Sequence, residues 1–270
     1  MSVSPTARWL LRIATGVTLA FLYFPLMVIG LYAFNGQRVQ RWPIQEFSTE
    51  WFSKALHNPG VRDALVTSLK AGLGATAIAL VLGTLASYAV ARYRFFGRDT
   101  ISFLVVLPIA LPGIVTGMAL NTTFTQVLGV NLGLFTIIVG HATFCVVVVF
   151  NNVVARLRRT PGSFVEASED LGAHSFQAFR TITLPQMRSA LVAGALLAFA
   201  LSFDEVIVTT FTAGSSETLP IWILSNLSRP NQLPIVNVVA VLAIVLSLIP
   251  VWLAQRLSAD PLSSTAPAAR

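Results

Sequence analysis

The sequence predicts an all-α polytopic membrane protein with six transmembrane helices. Only 11% of its 270 residues are charged and 55% are hydrophobic, whereas a soluble domain carries about a quarter charged residues. Its apolar residues fall in six runs, at 10–34, 64–91, 101–124, 134–155, 187–213 and 235–257. Each is long enough, or nearly so, for a helix to cross a bilayer core of about 30 Å. The arginines orient these runs. With the N-terminus inside, twelve basic residues fall on the inner side, including Arg8, Arg12, Arg92, Arg156 and Arg159. Five, namely Arg38, Arg41, Lys54, Arg62 and Arg229, fall outside. That bias puts both termini in the cytoplasm. It also explains the net charge of +7 without a nucleic-acid partner, because the basic residues sit in short loops between spans.

The first run follows Arg8 and Arg12 and extends to Phe34. It is too long for a signal-peptide core and reads as a retained span. Residues 1–34 are therefore an N-terminal segment with the first helix, and 35–63 a periplasmic loop. The loop's Trp42, Trp51 and Phe52 are expected at headgroup level. A core of five helices follows over 64–257, and 258–270 reads as a disordered cytoplasmic tail. Span two is rich in Gly, Ala, Ser and Thr, which let transmembrane helices approach closely. Its Lys70 either snorkels to the outer surface or pairs with an acid. Span three carries Pro108 and Pro112, which remove backbone donors and are expected to kink or break it. His141 and Cys145 of span four read as a satisfied buried polar group and a packing residue. Span five holds Asp204 and Glu205. Two acids in an apolar helix need a reason. They form a negative patch on a path for a cationic solute, or pair with Lys70 at similar depth on span two, and both readings stand. Leu219–Leu224 is too short to span and either dips toward a pore or lies at the interface.

The long polar interruption of the second half is the cytoplasmic loop at about 163–185. Ser163 is placed to cap a short helix, with Glu166 three residues on completing a capping box. Glu166, Glu169 and Asp170 suit the positive end of its dipole. Gly172 is expected to stop it in a left-handed conformation, and Pro185 to break the chain before span five. Catalytic motifs are absent. Neither lysine, Lys54 or Lys70, follows a glycine, so no P-loop exists to cradle a nucleotide. No HExxH, CxxC or GxSxG occurs. The chain does not read as an enzyme, and no metal site is expected.

Glu166-Ala167-Ser168, three residues, Gly172, nine residues and Ile182-Thr183-Leu184-Pro185 resemble the EAA signature of permease subunits of binding-protein-dependent ABC importers. Ser168 is the one departure, standing where alanine is frequent. LSFDEVIVTTFTAG, PIALPG and GHATFCVVVVFNN are similar to the second permease of spermidine/putrescine-type importers. The resemblance implies a type I ABC importer permease fold in a bacterial inner membrane. It implies that Glu166, Ala167, Ser168, Gly172, Ile182, Leu184 and Pro185 form a coupling helix and its flank. It also implies a second permease, two cytoplasmic ATPase subunits and a periplasmic solute-binding protein as partners. ATP and Mg would then be used by the ATPases, with no cofactor bound by this chain. Polyamines or a related small cation are the implied solute. A self-sufficient secondary transporter, or an importer of a different small organic solute, are the rival readings. The former would need an ion-coupling site and, as a rule, inverted repeats, and neither is visible.

Overall fold

A computed structural model describes residues 4–258. The expected tail beyond residue 258 lies outside them. The described residues are almost entirely helical, and their one strand-like pairing is an isolated bridge between Asn35 and Phe47. Five helices are long and apolar enough to cross a membrane. They are α1 (Pro5–Ala33), α3 (Pro59–Arg92), α6 (Leu134–Arg159), the run Ser175–Phe203 that ends in α9 (Leu184–Phe203), and α12 (Leu233–Ser258). The sixth span is a bent pair. α4 (Arg98–Ala110) and the helical run from Gly113 to Val127, which opens with α5 (Gly113–Thr122), meet at 102°. The break sits at Leu111-Pro112, where Leu111 is extended (φ −84°, ψ 143°), the conformation that a following proline imposes. The expected proline break is therefore present, at the second proline. Pro108 stays inside α4.

The chain divides into two compact units, one made of 1–62 with 222–245 and the other of 63–221 with 246–270. In the first, the expected loop 35–63 is shorter than its sequence suggested. A short helix α2 (Glu50–His57) fills its second half, and α3 already starts at Pro59. Trp51 is buried under the Lys54 ammonium, 4.3 Å from the ring centroid, so it does not sit in an exposed aromatic belt. Trp42 is exposed. Trp222, in α11 (Leu219–Leu227), is buried with its indole nitrogen against Gly60.

The second unit is organised on α6. Its Phe144, Cys145, Val149 and Val153 form a core with Ala75 and Ala79 of α3, Met187 and Ala198 of α9, and Val208. Glycines set the closeness of this packing. A Cβ on Gly83 of α3 would lie 3.0 Å from both the Val146 carbonyl and the Val149 side chain. One on Gly194 of α9 would lie 3.3 Å from the Val149 backbone. Val149 is thus clasped from two sides. Without a hydrophobic driving force between helices in lipid, such backbone approach is what supplies contact. Ser87 adds a hydrogen bond across the same interface, donating to the Phe150 carbonyl at 3.0 Å.

Candidate functional site

Two stretches hold the residues that the sequence singled out, one at each end of α9. The first is the segment 163–185. It opens with α7 (Ser163–Asp170). Its N-cap is Gly162, not Ser163, and no side chain caps it, so the expected Ser163–Glu166 capping box is not formed. Pro161 is the reason. It holds Thr160 extended (φ −99°, ψ 117°), the chain turns at Gly162, and Ser163 is already helical. The Gly162 carbonyl accepts instead from the Val165 and Glu166 N–H groups at 2.9 and 3.2 Å.

The other end of α7 follows expectation. Gly172 has φ +88°. The Ala173 N–H donates to the Ser168 carbonyl and the Gly172 N–H to the Glu169 carbonyl, each at 2.9 Å. These are the paired bonds of a Schellman stop, and they satisfy two carbonyls that the helix end would orphan. The sequence reading missed the apolar side chains on this segment. Phe164, Leu171 and Phe176 are 55%, 90% and 75% exposed. The signal was available, since Phe164 and Leu171 are seven residues apart and so share a helix face.

Pro185 does not break the chain. It lies in the first turn of α9, and α8 (Ser175–Ala178), a π-helical turn at Phe179–Thr183 and α9 make one run from Ser175 to Phe203. Proline in a helix lacks one donor and clashes with the carbonyl four residues back. Placing it just after a wider i→i+5 turn and at a helix start relieves both problems. Ile182 is half-buried, Thr183 buried, and Leu184 and Pro185 exposed.

The second stretch follows α9. The expected helix 187–213 is in fact two. α9 ends at Phe203 and α10 runs from Ile207 to Thr212, so Asp204 and Glu205 lie at a break rather than inside a continuous helix. Asp204 is the C-cap of α9 (φ −92°, ψ 0°). Glu205 Oε1 accepts the Val208 N–H at 2.9 Å, which caps the start of α10. The Thr209 hydroxyl donates to the Glu205 carbonyl at 2.7 Å. The two acids therefore differ in role. Glu205 is committed to the backbone, while Asp204 is exposed and accepts from Ser247 Oγ of α12 at 3.0 Å. Neither pairs with Lys70. Among the described residues the one ion pair is Lys54–Glu50, and Lys70 is exposed.

His141 is fully buried, as expected of a satisfied polar group. Its Nδ1 lies 2.7 Å from Ser202 Oγ and its Nε2 2.8 Å from Thr209 Oγ1. Since the Thr209 hydroxyl proton goes to the Glu205 carbonyl, Nε2 carries the proton that Thr209 accepts, and Ser202 donates to Nδ1. One imidazole on α6 thus holds both sides of the break. α5 braces it as well. Asn121 Nδ2 donates to the Phe211 carbonyl at 2.6 Å, and Gly117 admits the Phe211 ring, which a Cβ there would meet at 2.6 Å.

Residues 79–260 match the family described as binding-protein-dependent transport system inner membrane component. The chain is 35% identical over 243 residues to the spermidine/putrescine transport system permease protein PotC of Escherichia coli (strain K12), covering 89% of this chain and 90% of that one. It is 33% identical over 230 residues to the putrescine transport system permease protein PotI of the same strain, covering 82% and 81%. Among solved structures, it is similar to a chain of a bacterial ABC transporter involved in the import of the acidic polysaccharide alginate, with a TM-score of 0.73 at 16% identity. That match covers 95% of this chain and 99% of the other. It is also similar to a chain of the inward-facing MetNI methionine ABC transporter, with a TM-score of 0.58 at 20% identity over 73% of this chain and 92% of the other. At those identities the likeness is one of fold, and the fold is that of the type I importer permeases. This chain belongs to the family of inner membrane components of binding-protein-dependent transport systems, as a multi-pass permease subunit.

Proposed function

We propose that this permease forms half of the path by which a polyamine, or a related small cation, enters the cell at the expense of ATP hydrolysed elsewhere. Its similarity to PotC over nine-tenths of both chains supports the solute class. The observation that carries the energy-coupling part is the 163–185 segment, a short helix with a rigid stop whose Phe164 and Leu171 side chains are exposed. Exposed apolar groups on a polar segment suit a groove on a partner protein. In this reading Glu166, Ala167, Ser168 and Gly172 form the element that an ATPase grips, and Ile182, Leu184 and Pro185 pass its motion into α9. A second permease completes the path, two ATPase subunits bind ATP and Mg, and a periplasmic protein delivers the solute. Both termini are cytoplasmic. Residues 64–257 form the working core, behind a first helix and a periplasmic loop. This chain itself binds no nucleotide. Asp204 is the carboxylate offered to a passing cation, because Glu205 is occupied as a helix cap.

Gly172→Pro tests the coupling role. Proline fixes φ near −65°, which the +88° position cannot accept. The variant should insert and assemble, yet hydrolyse ATP in proteoliposomes without accumulating solute; normal uptake would refute the role. Asp204→Asn should lower spermidine and putrescine uptake at unchanged abundance. If uptake of both is unaffected while a neutral solute competes for transport, the importer carries a different small organic molecule.

A further inference from the structure

The last residue of α3, Arg92, reaches the root of the 163–185 segment. Its Nη1 lies 3.4 Å from the point where a Cβ on Gly162 would sit, and Glu166 Oε1 lies 3.8 Å from that same point. The two charged groups thus flank one small space, but they make no ion pair. Meanwhile Nε and Nη2 of Arg92 are buried with no hydrogen-bond partner among the described residues. Those two donors are the side of the guanidinium that takes a carboxylate in a two-point grip. Buried charged donors without an acceptor are costly, so a conformation in which they are filled is favoured by this term. One residue turn back, Tyr88 packs edge-on against Phe179 of the π turn, with centroids 5.1 Å apart. α3 therefore meets the segment at a closed aromatic contact and at an open polar one.

We infer that Arg92 is a positioning residue of the transport cycle. When the Glu166 side chain swings into the space over Gly162 and the Arg92 guanidinium turns its unfilled Nε–Nη2 edge toward it, the two close into a pair that sets α7 against α3 in that state. This rests on the reading of α7 as the coupling element. Gly162 matters because it leaves the space empty. A methyl there already takes up part of that space, in contact with both groups, and a larger side chain stands between them.

The test uses the assembled importer with its ATPases, second permease and binding protein, reading solute moved per ATP and, separately, co-purification of the ATPase. Arg92→Ala should retain assembly and lower solute per ATP by about tenfold, a usual size for coupling between two elements. Arg92→Lys should recover part of that loss. Gly162→Val, which keeps both charges, should fall in the same direction as Arg92→Ala, and Gly162→Ala should fall in that direction by less. Arg92→Ala and Gly162→Val with unchanged solute per ATP would overturn the inference. So would losses confined to assembly or abundance in both. If those two are unchanged while Gly172→Pro uncouples, only the Arg92 role is lost. If Gly172→Pro transports normally, the coupling reading itself falls.

Discussion

At Gly172 the chain ends a helix with its own backbone alone; at Asp204 the break is also braced by side chains from other helices. The first stop needs a left-handed glycine and two short-range hydrogen bonds. Water can complete whatever remains, because the segment is exposed. The second stop lies between two spans and is held by side-chain partners. Its free N–H goes to Glu205, and its flanking hydroxyls go to His141, 61 and 68 residues away. α10 is then pinned by Asn121 and the Gly117–Phe211 contact. The first interruption is written locally, whereas the second is also written into the core through His141, Asn121 and Gly117.

Substitutions should separate the two accordingly. His141→Ala removes both hydrogen bonds and leaves a cavity in α6, which should destabilise the protein by about 3 kcal/mol. A clear fall in the unfolding midpoint in detergent is expected, and an unchanged midpoint would mean that the break holds without its histidine. Gly117→Ala forces a methyl into the Phe211 ring and should lose about 2 kcal/mol in the same scan. Gly172→Ala meets only backbone strain, because a Cβ there has nothing within 4 Å. Its cost of about 1 kcal/mol should appear as faster amide exchange at Ala173, with the global midpoint unmoved. Glu205→Gln retains an oxygen to accept the Val208 N–H and should change stability by less than about 0.5 kcal/mol in the same scan. A large loss there would show that the negative charge itself, not the cap, holds the break.

The same contrast decides how much the sequence revealed. The spans were legible because length and hydropathy suffice for a helix that must satisfy its own backbone. The break at Pro112 was legible because proline carries its effect in its own ring. Gly172 was legible for the same local reason. The break after Phe203 was not, since no glycine or proline marks it and its partners are remote. Lys70 was a reasonable partner for an acid by depth alone, but Glu205 found a backbone N–H and Asp204 a serine. Ser163 misled by one position, because Pro161 moved the helix start. Pro185 misled because a π turn next to it leaves room for a proline that an α-helical register would reject. The exposed Phe164 and Leu171 are readable from their spacing, although the acidic residues between them give the segment a polar average.

That π turn has a mechanical consequence. Ser175–Phe203 is one helical run of 29 residues, on the order of 40 Å long at about 1.5 Å per residue. Had Pro185 broken it, the run would contain a joint, and a push delivered near Ser175 would be spent in bending it. Spliced as it is, the run is continuous from the polar segment to Phe203. In the proposed coupling, a displacement at its polar end would be carried along that one element to the break that follows. Asp204 stands at that break.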